Sequence, residues 1–450
     1  MSGRVDPGNT DSATQMHVRT PRPPAERSIE VAPDGSMSLK GRSLNALVAE
    51  HGSPLHVIEA DVVAANADAA VSAGAFSTVF SSYKTNPVPA VLEILHAHGI
   101  GAEGISPFEW WLALEIGVAA DRIIYNGPAK SIESMTEAAE AGVFLVNANS
   151  VTDIDRMAEA AEAAGRPMRS GLRISLPHMW GGQFGIDASS STVIESVEKA
   201  RRSRWLDLLA IHAHSGFPLA HESDVERHVT TVLDVIDRIA DATGWSPSLL
   251  DLGGSAGCRT VKAPGEDDVV SLTDVIRQSE SIVSDHARRT GRARPELLFE
   301  PGKALTADTQ FTLTTVLAVD ETTGPDTCRT AIVDIGVGLA EPLRSEHHDT
   351  YNLTNPDGEP APTRLIGPDA VGDDALGDPI LLPEVRTGDV LAVLDTGAYF
   401  VPFARSPSRL RPAIVTLDSE MVRVGEDSAH VHRVDIGLDD GGSGAGRSAE

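Results

Sequence analysis

Eight short apolar runs alternate with longer helical patterns between residues 78 and 302, and this alternation limits the folds open to the chain. The runs are TVFSSYK (78–84), GIGAEGI (99–105), RIIYNG (122–127), VFLVNAN (143–149), GLRISL (171–176), LLAIHAH (208–214), LLDLGG (249–254) and LLFEPG (297–302). The segments between them, such as VERHVTTVLDVIDRIADATG (225–244), repeat apolar residues at helical spacing and predict amphipathic helices. Eight such units predict an α/β fold built on a (β/α)₈ TIM barrel, and a doubly wound open sheet is the alternative.

A second domain is predicted after about residue 305, where the helical period gives way to short strands. These are FTLTTVLAVD, CRTAIVDIG, TRLIGP, DVLAVLDTGAY, RPAIVTLD and MVRVGE, separated by Pro, Gly and Asp turns, and they predict a mostly antiparallel β-domain. The expected boundaries are a disordered segment at 1–27, N-terminal strands at 28–48 that join the β-domain, the barrel at 49–305, the β-domain at 306–432 and a disordered tail at 433–450. Both terminal segments are polar and rich in Pro, Gly or Ser, so we expect them not to order themselves.

Composition excludes several classes of function. A formal net charge of −28 argues against nucleic acid or an anionic membrane as a partner, because both require a basic face. The sequence has neither a long apolar span nor an apolar leader, which predicts a cytoplasmic protein. With Cys258 and Cys328 as its two cysteines, the chain has no disulfide framework or cysteine-rich metal site, and we expect no metal.

Polar residues mark the ends of the predicted barrel strands, where the active sites of such barrels lie. They are Lys84 after the first run, Glu103 in the second, Arg173 in the fifth, His214 in the sixth, Gly253 and Gly254 in the seventh, and Glu300 in the eighth. An amine, an imidazole, a glycine turn and a carboxylate are therefore expected to converge at one mouth of the barrel.

Lys84 is the candidate for covalent chemistry at this mouth. A strand-end amine can form an imine with an aldehyde cofactor, which then accepts electrons from a carbanion. The alternative for a lysine in this position is a solvated cap or an ion pair.

The turn GGSAG (253–257) is the candidate phosphate site, since glycine lets backbone N–H groups approach an anion closely. Lys303 and the phenol of Tyr399 reach the same phosphate if the β-domain folds back over the mouth. An ordinary turn between strand and helix is the alternative.

Glu300 is placed to bond a pyridine nitrogen and so strengthen an electron sink, with an ion pair to an arginine as the alternative. His212 and His214 are two residues apart, and we expect one to face the helices and the other the mouth, where it can stack on a ring; a packed, hydrogen-bonded histidine is the alternative. We expect Glu103 and Arg173 to form a supporting ion pair beneath the cofactor.

Taken together, the motifs resemble those of the fold type III decarboxylases that depend on pyridoxal 5'-phosphate (PLP), a group that includes diaminopimelate, ornithine and arginine decarboxylases and is related to alanine racemase. The motifs are SYKTNP, GAEGISPFE, RIIYNGPAKS, LRISL, GQFGI, IHAHSG, DLGGSAG, FEPGK, VDIGVG, DTGAYF and RPAIV. The resemblance implies a TIM barrel with an alanine racemase-like C-terminal β-domain, PLP on Lys84, His214 stacked on its ring and Glu300 on its nitrogen. It implies that the phosphate is held by Gly254, Gly257, Gly302, Lys303 and Tyr399, and that a homodimer shares its active sites.

The chain departs from the family pattern at three places. Lys303 stands where the family usually has arginine, and Phe217 lies near a common phosphate-binding serine, which Ser215 or Ser255 replaces. Ala370 and Val371 stand where the family's decarboxylases carry a cysteine and an acidic residue. The open candidates for the proton donor are Asp369, Asp373, Asp374, His347, His348 and water.

Amino-acid decarboxylation is the function that this resemblance implies, on a substrate that differs from diaminopimelate. Among the candidate substrate contacts Arg344, Glu346, His347 and Asp369, Glu346 suits a cationic distal group and Arg344 an anionic one. A racemase, an epimerase or an elimination enzyme uses the same electron sink. A non-catalytic PLP-binding regulatory protein and an enzyme whose amino acid is tethered to a carrier protein also stay open.

Overall fold

The computed structural model of the chain describes residues 18–27, 29–33, 35–176, 179, 182–258, 260, 269–321, 328–335, 346–369, 374–403, 411–417 and 422–424. Arg344, Ala370, Val371 and Asp373 lie outside these residues. Among the described helices, none combines the length and the apolar character that a membrane crossing requires. Both cysteines are buried as free thiols.

The first strands that the structure describes form a small antiparallel sheet of their own. It consists of β1 (Ile29–Val31), β2 (Met37–Leu39) and β3 (Arg42–Ser43), and helix α1 (Leu44–His51) follows it. These strands pair with one another, so residues 28–48 join the β-domain without pairing with its strands. Their contact with the β-domain is made by side chains, since Ile29, Leu39 and Leu44 pack in one apolar cluster with Phe311.

Residues 18–27 are ordered by arginine contacts rather than by apolar burial. Arg19 forms an isolated parallel bridge with Ile380 of the β-domain. Arg22 Nη1 lies 3.2 Å from an oxygen of Asp349, and Arg27 forms an ion pair with Asp395. The expectation of disorder over residues 1–27 is therefore wrong for 18–27, because buried carboxylates of the β-domain bind this segment.

Eight parallel strands form a closed ring, as predicted. They are β5 (Ser77–Ser82), β6 (Gly101–Gly104), β7 (Ile123–Tyr125), β8 (Leu145–Ala148), β9 (Met168–Ser175), β11 (Leu206–His212), β12 (Leu249–Asp251) and β13 (Glu296–Phe299), and the short β10 (Ile186–Asp187) extends from β9 outside the ring. Pairing of β13 with β5 and of β8 with β9 closes the ring, so the TIM barrel is confirmed and the open sheet is wrong.

Helices cover the outside of the ring. They are α2 (Ala60–Ser72), α3 (Pro89–Ala97), α4 (Pro107–Glu115), α5 (Ile132–Ala141), α6 (Val151–Ala163), α7 (Thr192–Arg202), α8 (Glu222–Thr243) and α9 (Leu272–Thr290), with the short α10 (Lys303–Thr306) after β13. Ser106, Ser131 and Ser150 cap α4, α5 and α6 by accepting a backbone N–H near the start of each helix. The helix starts are thus set by residues next to the strand ends, which fixes the loops at the barrel mouth.

The second sheet is the β-domain, and six of its eight strand pairs are antiparallel. Its strands are β4 (Leu55–Glu59), β14 (Gln310–Glu321), β15 (Arg329–Val333), β16 (Thr350–Asn352), β17 (Ala361–Ile366), β18 (Ile380–Leu382), β19 (Val390–Val393), β20 (Ala413–Leu417) and β21 (Val422–Val424). β4 pairs with β14 and β20, so the expected start of the barrel at residue 49 is wrong. Five residues without an alternating pattern do not reveal which sheet they will join.

The Arg27–Asp395 ion pair is expected to anchor the N-terminal segment. Both side chains are almost fully buried, at 6% and 2% exposure, so Arg27→Met leaves a buried carboxylate without its partner. We expect a loss of about 3–5 kcal/mol in the free energy of unfolding, measured by urea denaturation. Adding Asp395→Asn should restore most of it. Arg202→Met, which breaks the exposed Arg202–Glu198 pair, is the control, and an equal loss in both single variants would contradict the anchor.

Candidate active site

A cavity of about 470 Å³ opens at the carboxyl ends of the barrel strands. Its wall combines residues after β5, β11, β12 and β13 with residues of the β-domain: Ser82, Lys84, Thr85, His214, Gly216, Phe217, Pro218, Gly254, Ser255, Ala256, Glu300, Gly302, Lys303, Ala304, Tyr399 and Phe403. The volume lies in the range of small-molecule sites. Because Tyr399 donates its N–H to Thr85 (2.8 Å), the β-domain does fold back over the mouth.

Lys84 extends into this cavity with 41% of its side chain exposed. Its Nζ donates to Ser82 Oγ at 2.6 Å and lies 3.6 Å from Glu103 Oε2. Burial opposes the positive charge, but the carboxylate of Glu103, with smaller contributions from Tyr399 and Glu300, outweighs burial and raises the pKa of Lys84. The Lys84 amine is thus held in place by Ser82 and Glu103 and stays accessible to a ligand in the cavity.

Glu103 is fixed from three sides beneath Lys84. Ser82 Oγ donates to Glu103 Oε2 at 2.6 Å, and Asn126 Nδ2 donates to Glu103 Oε1 at 3.0 Å. The expected ion pair between Glu103 and Arg173 is wrong, because the cation that Glu103 pairs with is Lys84. The guanidinium of Arg173 lies over the ring of Phe184 instead, 4.4 Å from its centroid. Neither residue belongs to the cavity wall.

Both His212 and His214 face the barrel interior, so the expectation that one of them faces the helices is wrong. Residues two apart on a strand project to the same side, which accounts for the arrangement. His214 lines the cavity, and its Nδ1 accepts the N–H of Gly254 at 3.1 Å. Burial lowers the pKa of both imidazoles well below the usual value, which keeps them neutral. A Cβ at Gly253 would lie 2.6 Å from His214 Nδ1, so glycine is required there.

Glu300 lies against Asp251 and His212 at the floor of the site. Asn126 Nδ2 donates to Glu300 Oε1 at 2.7 Å, and His212 Nε2 lies 3.5 Å from Oε2. Burial and the neighbouring acid Asp251 raise the pKa of Glu300 well above its usual value, and burial raises the pKa of Asp251 to about 7. One potential ligand atom from each of the three residues lies within 4.8 Å of the others, which is a spacing that a metal ion also accepts.

The glycine turn after β12 contributes part of the wall that we expected for a phosphate. Gly254 and Ser255 line the cavity, and Ser255 has a left-handed φ of 73°. Because the N–H of Gly254 already donates to His214, Gly254 itself offers a close backbone approach rather than a free donor. Gly257 packs against Val269 and lies outside the wall. Gly302 is essential to the opposite wall, since a Cβ there would lie 2.1 Å from Thr85 Oγ1.

Lys303 and Glu346 contact each other directly in an ion pair. The second oxygen of Glu346, Oε2, accepts the hydroxyl of Thr260 at 2.8 Å, and Lys303 Nζ lies 5.6 Å from the centroid of the Tyr399 ring. Lys303 and Tyr399 therefore reach the cavity as expected. Glu346, in contrast, is engaged within the chain.

The other predicted contacts lie away from the cavity wall. The backbone N–H of Asp369 donates a hydrogen bond to Asp374 Oδ2 at 3.2 Å. The backbone N–H of His347 donates to the carbonyl of Thr260, and the ring nitrogen Nδ1 of His348 lies 2.8 Å from the carbonyl oxygen of Leu394. Within the described part of one chain, none of these four residues lines the site. Ser215 Oγ is taken by the backbone of Phe217, which leaves Ser255 as the serine in the wall.

Four residues of the site were missed by sequence reasoning: Ser82, Asn126, Asp251 and His212 in its interior role. Ser82 precedes Lys84 by two residues and Asp251 ends a strand, so period two and strand ends were signals for both. The sequence signal for Asn126 was weaker, because its role is to donate hydrogen bonds to both Glu103 on β6 and Glu300 just after β13.

The arrangement fits an aromatic aldehyde that carries a phosphate. The cavity presents a primary amine, Glu300 stands at its floor, and glycines line the opposite walls where a Cβ would collide with the backbone carbonyl of Glu300 or with Thr85. These are the groups that bind pyridoxal 5'-phosphate in general: an amine for the aldehyde, a carboxyl for the ring nitrogen and backbone approach for the phosphate.

Comparison with known proteins agrees with this chemistry. The chain is 28% identical to the diaminopimelate decarboxylase of Methanothermobacter thermautotrophicus, over 88% of this chain and 94% of that protein. It is 25% identical to the Bacillus subtilis enzyme of the same name, over 86% of this chain and 91% of that protein.

Solved structures agree in fold. The diaminopimelate decarboxylase of M. jannaschii has a TM-score of 0.81 at 22% identity, covering 91% of this chain and 97% of that one. The lysine/ornithine decarboxylase of Vibrio vulnificus has a TM-score of 0.68 at 20% identity, covering 84% of this chain and 97% of that one. The family model for the pyridoxal-dependent decarboxylase, pyridoxal binding domain, matches residues 60–307. The chain therefore belongs to the pyridoxal-dependent decarboxylase family and is an amino-acid carboxy-lyase that uses pyridoxal 5'-phosphate.

Proposed function

We propose that the chain decarboxylates an α-amino acid other than diaminopimelate, with Lys84 as the residue that binds the cofactor covalently. The observation that carries this proposal is the position of Lys84 Nζ, held by Ser82 and Glu103 at the edge of a cavity whose floor is Glu300. When bound, the cofactor supplies an electron sink for the pair of electrons left at Cα when CO₂ departs.

The residues of the wall have separate tasks in this proposal. Glu300 bonds the ring nitrogen, and His214, fixed by the N–H of Gly254, stacks on the ring face. Ser255, Gly302 and the phenol of Tyr399 hold the phosphate, and Lys303 adds its charge. Gly257 and Arg173 support the site from outside the wall, and Glu103 keeps the amine of Lys84 in place whenever it is not bonded to the cofactor.

Two features favour a substrate unlike diaminopimelate. The resemblance implies that Ala370 and Val371 stand in place of the thiol and acid of the family's decarboxylases, and neither side chain can bond a distal amino group. Glu346, which suits a cationic distal group, is already bonded to Lys303 and Thr260. By comparison, the M. jannaschii diaminopimelate decarboxylase has been solved in complex with L-lysine. We infer that this chain recognises its substrate through other contacts, and a carrier-tethered amino acid fits that inference.

We further propose a homodimer that completes the site. The large apolar residues exposed at the mouth end of the barrel include Ile105 (37%), Phe108 (60%), Trp111 (50%), Val151 (37%), Phe217 (54%) and Phe403 (40%). Such a patch favours a covered surface. A second copy there brings its own β-domain to the cavity, which suits a proton donor such as Asp369 or His347 that does not line the site of its own chain.

Lys84→Ala is expected to abolish covalent cofactor binding. The wild-type protein with pyridoxal phosphate should absorb at about 420 nm, and borohydride should reduce the imine and leave the cofactor permanently bonded to the chain. The variant should lack this band and lose activity by about 10³-fold or more. Lys199→Ala, which removes an exposed lysine paired with Asp155, should keep both. A normal band in the Lys84 variant would refute the proposed role.

The reaction itself is tested by product analysis in D₂O. We expect the best substrate in an amino-acid screen to release CO₂, and deuterium to enter Cα only in product that has lost its carboxylate. Diaminopimelate should be a poorer substrate, because its usual distal contacts are missing. Deuterium at Cα of recovered amino acid, without CO₂, would identify a racemase or epimerase instead.

Dimerisation through the mouth is tested with the double variant Phe108→Ser and Trp111→Glu. The rings of these two residues lie 6.3 Å apart on the exposed face of α4, and a charge there opposes burial. Sedimentation should show a dimer for the wild type and a monomer of low activity for the variant. Val71→Glu is the control. Val71 is an exposed apolar residue at the end of α2, on the side of the barrel opposite the mouth. A fully active monomer would contradict the shared site.

A further inference from the structure

Two buried carboxyl groups, those of Asp251 and Glu300, lie close together at the floor of the active site. Asp251 ends β12 and Glu300 follows the adjacent strand β13, so strand pairing sets their separation. Asp251 is fully buried and Glu300 is 7% exposed. An oxygen of each group lies within 4.8 Å of an oxygen of the other. Two buried carboxylates this close repel each other, which favours a proton on one of them.

The donors around the pair are accounted for. Asn126 Nδ2 donates to Glu300 Oε1 at 2.7 Å, and the N–H of Gly253 donates to Asp251 Oδ1 at 2.9 Å. Asp251 Oδ2 is buried and receives no N–H or hydroxyl from the described residues, and the Glu300 carboxyl, which follows the adjacent strand, has an oxygen within 4.8 Å of an Asp251 oxygen. A buried carboxylate oxygen without any donor is costly, which a shared proton avoids.

The nearby imidazole and the nearby cations do not remove the need for this proton. Asn147 Nδ2 lies 3.5 Å from His212 Nδ1, and burial lowers the pKa of His212 well below its usual value, so His212 is neutral. Lys84 is paired with Glu103, and among the described residues Arg173 is the cation whose charge acts on both Glu300 and Asp251. With one positive charge for two carboxyls, a single negative charge on the pair is the favoured state.

We propose that Asp251 is a positioning residue for Glu300: the two carboxyls share one proton at the barrel floor, and this shared proton fixes the orientation in which the Glu300 carboxyl faces the cofactor. The pair behaves as one group of charge −1. Its functional consequence rests on the proposed role of Glu300 at the ring nitrogen, whereas the proton itself depends only on this chain's residues.

The shared proton is tested by infrared difference spectroscopy on the purified protein, with the cofactor present and absent. The carbonyl stretch of a buried carboxylic acid is separate from that of a carboxylate, and it shifts in D₂O. We expect this signal in the wild type at pH 7 and its loss in both Asp251→Asn and Glu300→Gln, since an amide N–H replaces the shared proton in either variant. Glu109→Gln assigns any signal from Glu109, another buried acid, whose pKa burial raises to about 7.

Three infrared outcomes overturn the proposal: a wild type without the signal, or persistence of the signal in either of the two amide variants. A stoichiometric bound metal that is lost in Asp251→Asn would also overturn it, because His212, Asp251 and Glu300 would then be metal ligands. The infrared arm requires no cofactor. A retained signal in a protein that never binds pyridoxal phosphate therefore refutes the proposed function and leaves the shared proton standing.

The positioning role is tested by comparing Asp251→Asn with Asp251→Leu, which has a similar volume and no donor. We expect Asp251→Leu to lower kcat by about 10- to 100-fold relative to wild type, the effect of losing a hydrogen bond to a charged group. Asp251→Asn should be at least about tenfold more active than Asp251→Leu. Urea midpoints show whether both variants are folded. Equal loss in two folded variants would reduce Asp251 to a packing residue.

Discussion

Closure of the eight-stranded ring is the constraint on which the rest of the molecule depends. Because all eight strands are parallel and pair in one circle, their carboxyl ends must meet at one rim. Lys84, His214, Gly254 and Glu300 follow four different strands, and no local contact in the sequence brings them together. The β-domain then closes the rim from one side, and the hydrogen bond from Tyr399 to Thr85 fixes it there. The topology of the barrel therefore brings an amine and a carboxyl to the same cavity, independently of any contact between their side chains.

The fold could be predicted largely from the sequence, because periodicity reports which face of an element is buried. All eight barrel strands and six strands of the β-domain lie where the apolar runs are. Periodicity does not report which sheet a strand joins. For this reason β4, a five-residue strand next to a barrel helix, was assigned to the wrong domain, and residues 18–27 were missed because arginine ion pairs order them.

In the site, sequence reasoning predicted the residues that project into the cavity better than the contacts among them. The cavity wall contains Lys84, His214, Glu300 and Tyr399. These residues could be predicted because strand ends and family motifs mark them in the sequence. The partners differ, because an ion pair depends on distances between strands that the sequence does not contain. Glu103 lies on β6, next to the β5 strand that leads to Lys84, whereas Arg173 lies on β9, on the other side of the ring. Pairing with the neighbouring strand's residue follows from ring order.

The ion pair between Lys303 and Glu346 changes what the phosphate side of the cavity can offer. In the resembling family the residue at this position is usually arginine, whose planar fork can bond a phosphate and a second acceptor at once. A lysine ammonium is a single point charge, and here Glu346 already offsets it. Thr260 holds Glu346 in place, so the carboxylate cannot easily turn away. The attraction on that side for an anion is thereby reduced, so under the proposed function the backbone around Ser255 and Gly302 and the bond to Lys84 would contribute more of the cofactor's binding. Because both side chains of this ion pair are largely buried, removal of either one would leave the other charge without its partner.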